Sequence, residues 1–233
     1  YKGQYQIDTR GKLTIRDLQA LGFDNTAVVE GDLLMVQLTG QIHNKFEGQG
    51  TIRLVGSDLI LAGYTGGMTS FSGMLDIDQN SIYRFNRDAN TFTLHHNIRG
   101  AGIFQVDIEP SNLFNFTWDM KGDEFNGTLQ LTSGTIDFNT DHMTYLNKLP
   151  NATLEVGASG TVNVHSGLTQ SSKGLTLDGG TINFTAQTGG FETLKIKEHI
   201  HVKKGVSTIK VNGADFKTDT LPSGNFFDQQ QGA

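Results

Sequence analysis

The chain has 233 residues with 18 basic and 24 acidic side chains, a formal net charge of −6, 29 glycines, 3 prolines, 15 phenylalanines and no cysteine. The acidic balance argues against wholesale nucleic-acid binding, and the missing thiols exclude a disulfide framework and a thiolate metal site. No apolar run approaches the ~18 residues of a membrane helix, and no leader-like segment opens the chain, so Tyr1 is expected to begin an excised or processed fragment whose export signals lie outside it.

Residues 1–16 alternate loosely around Gly11, with Tyr5, Ile7, Leu13 and Ile15 as apolar positions, and predict irregular strand. Residues 16–22 have the helical character of the chain and end on Gly22, where a helix C-terminus favours glycine. They are read as a helical turn, either an insertion or part of a cover over one end of a stack, and residues 1–26 as an irregular N-terminal or capping segment. From Ala27 strands dominate. Leu34, Val36 and Leu38 alternate with polar residues, Ile52 and Leu54 follow, and Phe71-Ser72-Gly73-Met74-Leu75-Asp76-Ile77 runs into a segment containing Phe92 and Leu94. Gly102-Ile103-Phe104-Gln105-Val106-Asp107-Ile108 and Leu113-Phe114-Asn115-Phe116-Thr117-Trp118 are further alternating strands.

Residues 124–184 then say nearly the same thing three times. Phe125-Asn126-Gly127-Thr128-Leu129-Gln130-Leu131 leads to Gly134-Thr135-Ile136-Asp137-Phe138. Ala152-Thr153-Leu154-Glu155-Val156 leads to Gly160-Thr161-Val162-Asn163-Val164, and Gly174-Leu175-Thr176-Leu177 to Gly180-Thr181-Ile182-Asn183-Phe184. A period of about 20–25 residues is that of stacked coils, which bury their apolar faces only against neighbours. Leu34, Ile52, Leu75, Phe92, Phe104, Leu129, Leu154, Leu175, Leu194 and Ile209, taken as successive first-strand anchors, give roughly ten coils. The fold expected is an all-β parallel β-helix over residues 27–214, followed by a frayed tail over 215–233. An antiparallel sandwich is the rival, since it too needs many short alternating strands, but it has no reason to repeat Gly-Thr-Ile-Asp-Phe as Gly-Thr-Ile-Asn-Phe.

This wording resembles the passenger domains of Gram-negative monomeric, type V secreted autotransporters, over about residues 27–211. The resemblance is carried by the Phe-x-Gly-x-Leu-x-Leu units, by Gly102-Ile103-Phe104-Gln105-Val106, and by Leu175-Thr176-Leu177-Asp178-Gly179-Gly180-Thr181-Ile182. It is greatest to the non-proteolytic branch that includes self-associating adhesins. The resemblance implies a right-handed winding, export across the outer membrane, and a cell-surface role in adhesion, autoaggregation or biofilm formation. The partners implied are host matrix, glycans or a second copy. No series of strands for a translocator barrel follows Val211, and no Gly-x-Ser-x-Gly of a serine-protease passenger is present.

Candidate chemistry is sparse, and the chain is read as non-catalytic, with no cofactor and no metal. Asn139-Thr140-Asp141 matches a triplet of polygalacturonase-like β-helices, which makes a polysaccharide-degrading or polysaccharide-binding β-helix the alternative. The paired Asp-Asp, Gly-His-Gly and Arg-Ile-Lys expected beside that triplet are missing, and Asn and Asp are ordinary corner residues. His199 and His201 share a strand face without an evident third ligand, and with His95 and His96 are read as surface histidines. Alternation puts Lys195, Lys197, His199, His201 and Lys203 on one face, with Lys204 adding to it, and this basic stripe is a candidate site for an anionic polymer. Asp76, Asp78, Asn80, Asp137, Asn139, Asp178 and Asn183 are corner acids and amides that would align as ladders, either for self-association or only to stabilise the coil. The sequons at Asn115, Asn126, Asn151 and Asn183 are taken as accidental.

Overall fold

The structure is a computed structural model. It describes residues 4–22, 25–60, 68, 70–87, 91–108, 113–118, 122, 124–138, 150–165, 169–185, 193–196, 198, 200–203, 205–212 and 227–229. These residues form an all-β parallel solenoid of about six turns with almost no helix. The chain divides into two compact units, one of residues 1–87, 93–105 and 119–127, the other of residues 88–92, 106–118 and 128–233.

The strands begin with β1 (Gln4–Ile7) and β2 (Lys12–Ile15), then a 3-10 turn at Leu18–Leu21. There follow β3 (Thr26–Val29), β4 (Asp32–Val36), β5 (Thr39–Gln41), β6 (Lys45–Gly48), β7 (Thr51–Val55) and β8 (Asp58–Ile60). Next come β9 (Ser70–Phe71), β10 (Met74–Ile77), β11 (Ile82–Arg87), β12 (Thr91–Leu94), β13 (Asn97–Gly100) and β14 (Ile103–Ile108). Within the first unit the stacked sheets run β1-β3-β6-β9, β2-β4-β7-β10-β13 and β5-β8-β11-β14. Inward positions line up because the registers are parallel and unslipped: Leu13, Leu33, Ile52, Leu75 and Ile98 form one column, and Ile15, Met35, Leu54 and Ile77 the next. From Leu33 and Met35 onward these columns are buried. Turn length varies without breaking the stack. Ser57, 19 residues from Leu38 and 24 from Ser81, accepts from the Leu38 amide at its Oγ, while its own amide donates to Ser81 Oγ.

The second unit carries β15 (Leu113–Trp118), β16 (Thr128–Phe138), β17 (Thr153–His165), β18 (Thr169–Ser172), β19 (Gly174–Asp178) and β20 (Thr181–Thr185). It ends with β21 (Thr193–Ile196), β22 (Ile200–Val202), β23 (Thr208–Asn212) and β24 (Phe227–Gln229). The threefold wording of residues 124–184 is a register. Thr128, Leu129 and Leu131 stack on Thr153, Leu154 and Val156, and these on Gly174, Leu175 and Leu177. The second halves stack likewise, Ile136 on Val162 and Val162 on Ile182.

Several expectations change. Ten coils become about six, because anchors on different faces of one turn had been taken as separate turns. Leu194 and Ile209 lie on β21 and β23, which pair with β18 and β20, while β22 between them pairs with β19, so these three strands are faces of one turn. Leu34 is not an interior anchor: Leu33 and Met35 are buried, and Leu34 with Val36 faces outward. The segment read as irregular strand before Ala27 supplies β1 and β2, in register with β3 and β4. The helical reading of residues 16–22 corresponds to the 3-10 turn, capped by the Asp17 side chain on the Gln19 amide and closed by Gly22 at φ 66°. It packs on β5, the end strand of its sheet, where Leu18 approaches Gly40. β24 lies inside the stretch expected to be a frayed tail and pairs with β22.

Candidate functional site

Side chains that alternation turns outward meet the same position one turn away, so opposite charges there form pairs across turns. In the first unit Asp76 sits between Arg53 and Arg99, its neighbours in register on β7 and β13. Arg99 places Nε and Nη2 both 3.0 Å from Asp76 Oδ2, and Arg53 Nε lies 3.3 Å from the same oxygen. Arg84 grips Asp58 through Nε and Nη2 and donates from Nη1 to Gln105 Oε1 at 2.7 Å. Asp78 Oδ1 accepts from the Asn80 amide and Ser81 Oγ of its own corner and from the Gly56 amide one turn earlier. Asn80 is exposed.

The second unit carries a different surface. Thr135, Thr161, Thr181 and Thr208 occupy one column across β16, β17, β20 and β23, and Asp137, Asn163, Asn183 and Lys210 occupy the column two residues on. The threonines, Asn163 and Asn183 are half-buried and Lys210 is exposed, while Val162 and Ile182 between the columns are buried, so this is the outer face. Asn183 Nδ2 donates to Asn163 Oδ1 at 2.7 Å. For Asp137 the described feature is its backbone register with Asn163.

The corner residues proposed for self-association therefore do not make one ladder. Asp76 and Asp78 are held by arginines and corner amides, Asp178 lies 3.7 Å from Lys203, and Asn139 falls outside the described residues. Asp137 and Asn183 do share a column, with Asn163, Lys210 and the threonine rank as members the sequence reading missed. The signal was present in the spacing Thr-x-Asp, Thr-x-Asn, Thr-x-Asn and Thr-x-Lys at positions that stack.

The basic stripe is also redistributed. It assumed one strand through residues 194–204, but β21 pairs with β18 and β22 with β19, so alternation does not carry a single face from Lys195 to His201. Between those strands the Glu198 amide donates to the Lys173 carbonyl at 2.8 Å. Lys197, His199 and Lys204 lie outside the described residues, as do Thr140 and Asp141 of the polygalacturonase-like triplet. Lys203 lies 2.9 Å from Glu155 Oε1, which also accepts from Gln130 Nε2. The hydrogen bond to Glu155 raises the Lys203 pKa, with Asp178 adding to the effect. Stability from this contact is therefore complete below the ordinary lysine range and is lost only as pH rises through the raised value.

Comparison of the chain with family models, curated proteins and solved structures gives no match.

Among the described residues no three His, Cys, Asp or Glu side chains converge as a metal site would require. The titratable groups farthest from their ordinary values are in the interior of the first unit. His96, expected at the surface, is fully buried, and so is Tyr83, whose pKa burial drives upward. Tyr83 stacks on Phe104 at 5.0 Å, and among the described residues its hydroxyl has no hydrogen-bond partner. Tyr83→Phe should accordingly raise the free energy of unfolding by about 1–2 kcal/mol, by removing a desolvated hydroxyl and keeping the ring. A higher urea midpoint at unchanged slope is the expected observation.

Proposed function

We propose that this chain is a non-catalytic adhesive β-solenoid, the passenger segment of a cell-surface adhesin, and that it self-associates through the outer face of the second unit. The observation that supports this reading is the pair of polar columns. Strands stack about 4.8 Å apart, so four threonine hydroxyls and a neighbouring rank of acid, two amides and lysine repeat at one spacing on one sheet. Hydroxyls and amides donate and accept equally, and the threonine rank reads the same in both directions. The order Asp137, Asn163, Asn183, Lys210 becomes its own charge complement when reversed. Two copies related by a two-fold axis thus set Asp137 of each against Lys210 of the other and the amides against each other, a self-complementary interface. Right-handed winding, export across the outer membrane through a barrel outside this chain, and contact with host matrix or glycans belong to the same proposal.

Sedimentation of the purified chain over a wide concentration range tests it. Wild type should self-associate, Lys210→Asp should weaken association at least about tenfold, and Asp137→Lys combined with Lys210→Asp should restore it, since one charge pair at such a contact is worth 1.4 kcal/mol or more. A monomer at all concentrations defeats the self-association reading. Retention of glycans by that monomer on an array would favour the polysaccharide-binding alternative, in which the same hydroxyls and amides meet sugar hydroxyls.

A further inference from the structure

The residue immediately before each strand of the β2-β4-β7-β10-β13 sheet is a corner residue, and the registers place Gly11, Gly31, Gly50, Gly73 and His96 in one column. The glycines are close-packed backbone. A Cβ at Gly31 would stand 2.2 Å from the Gly11 carbonyl oxygen, one at Gly50 2.2 Å from that of Gly31, and one at Gly73 2.1 Å from that of Gly50. The hydrogen-bond ladder continues unbroken into the next turn, with the Asn97 amide donating to the Gly73 carbonyl at 2.8 Å. There the chain replaces the glycine with an imidazole.

That imidazole is fully buried. Its ring lies 6.2 Å from Phe71 of β9 and 6.3 Å, edge-on, from Tyr83 of β11. Among the described residues neither nitrogen has a hydrogen-bond partner, and neither does the Tyr83 hydroxyl. Among the described residues the titratable groups bearing on it are Tyr83 across the interior and the exposed His95 beside it, whose positive charge would oppose a second one. Phe71 brings no charge, and among the described residues no carboxylate is identified as favouring the imidazolium. A protonated ring in this place would be a buried, unpaired cation, which the interior cannot hold.

We propose that His96 is an acid-operated latch: in mild acid the imidazole takes up a proton once it leaves the interior, which holds it outside and favours opening of the turn that begins at β13. Burial, reinforced by His95, lowers the His96 pKa from 6.5 to about 3. A lowered histidine value means that the opened state takes up a proton below about pH 6.5 while the closed state does not until about pH 3. Stability is therefore complete above 6.5 and is lost across that window as pH falls, the opening constant rising about tenfold per pH unit.

Native-state amide exchange on the full chain, corrected for intrinsic rates, tests this at the amides of β10 and β13. Between pH 7 and 4.5 the wild type should show opening increased on the order of 80-fold. His96→Leu should abolish that rise, as should His96→Gly, which returns the corner to the residue used in the preceding turns. The same rise in both variants, or no rise in the wild type, overturns the proposal. Should the leucine variant fail to fold, the glycine variant and the proton titration of His96 in the wild type still decide. An imidazole that titrates near 6.5 while β10 and β13 stay closed is incompatible with a latch.

Discussion

Gly50→Ala should cost the first unit at least about 3 kcal/mol or prevent its folding, whereas Gly11→Ala in the same column should cost less than about 1 kcal/mol. The two positions differ in what a methyl group meets. At Gly50 it would stand 2.2 Å from the Gly31 carbonyl oxygen, 2.7 Å from the carbonyl carbon of Glu30 and 2.8 Å from the Gly31 nitrogen, all backbone. A side chain would step aside, but these atoms carry the ladder. The Gly31 carbonyl accepts from the Thr51 amide at 2.8 Å, and the Gly50 carbonyl accepts from the Met74 amide at 2.8 Å. With the Gly50 backbone as it stands, room for the methyl comes by parting two turns and lengthening those bonds, which strips buried amides of their acceptors. At Gly11 the nearest atoms are the Asp8 carbonyl oxygen at 3.1 Å and Ile7 Cγ2 at 3.2 Å, contacts of its own turn that a shift of a few tenths of an ångström relieves. Alanine also narrows the unfolded ensemble, offsetting part of that strain. Urea unfolding of the two variants beside wild type checks the contrast, and equal effects at both positions would contradict close packing as the reason for the glycines.

The same column shows what the sequence disclosed and what it did not. The wording repeated at residues 124–184 announced parallel stacking, because only stacked coils make Gly-Thr-Ile-Asp-Phe and Gly-Thr-Ile-Asn-Phe equivalent, and Ile136, Val162 and Ile182 do fall in one buried column. Strand parity was less legible. Leu33, Leu34 and Met35 are all apolar, so alternation alone did not say which of them faces inward, and Leu34 proved to be the outward one. Turn counting failed because a solenoid strand says nothing about which face it occupies. The ion pairs were also hidden. Asp76 and Arg99 meet only because Thr51, Met74 and Asn97 share a register across successive turns. His96 was hidden most completely. A histidine beside another histidine reads as surface, and its burial emerges only when the column shows it standing where glycines stood.

Phe104→Ala is the second large effect expected, a loss of about 3–5 kcal/mol from the first unit. Phe104 on β14 is fully buried and stacks on Tyr83 at 5.0 Å with ring planes 18° apart, and Tyr83 in turn sits in register beside the buried Leu59. Three neighbouring turns thus fill this part of the interior with one side chain each. Deleting the Phe104 ring removes its own burial, the aromatic pair worth about 0.5–1.5 kcal/mol, and the packing on one side of Tyr83. A solenoid turn is held by its two neighbours, so the remaining strands have little freedom to close the space. The sign is what makes the pair of substitutions informative: Tyr83→Phe keeps every ring contact and removes an unpartnered hydroxyl, so it should stabilise, while Phe104→Ala keeps that hydroxyl and removes the contact. Urea midpoints of the two variants and of their combination measure this directly, and a double variant departing from additivity by 0.5 kcal/mol or more would register the coupling through the stacked rings. Destabilisation by both single variants would instead contradict the reading of the tyrosine hydroxyl as unpartnered.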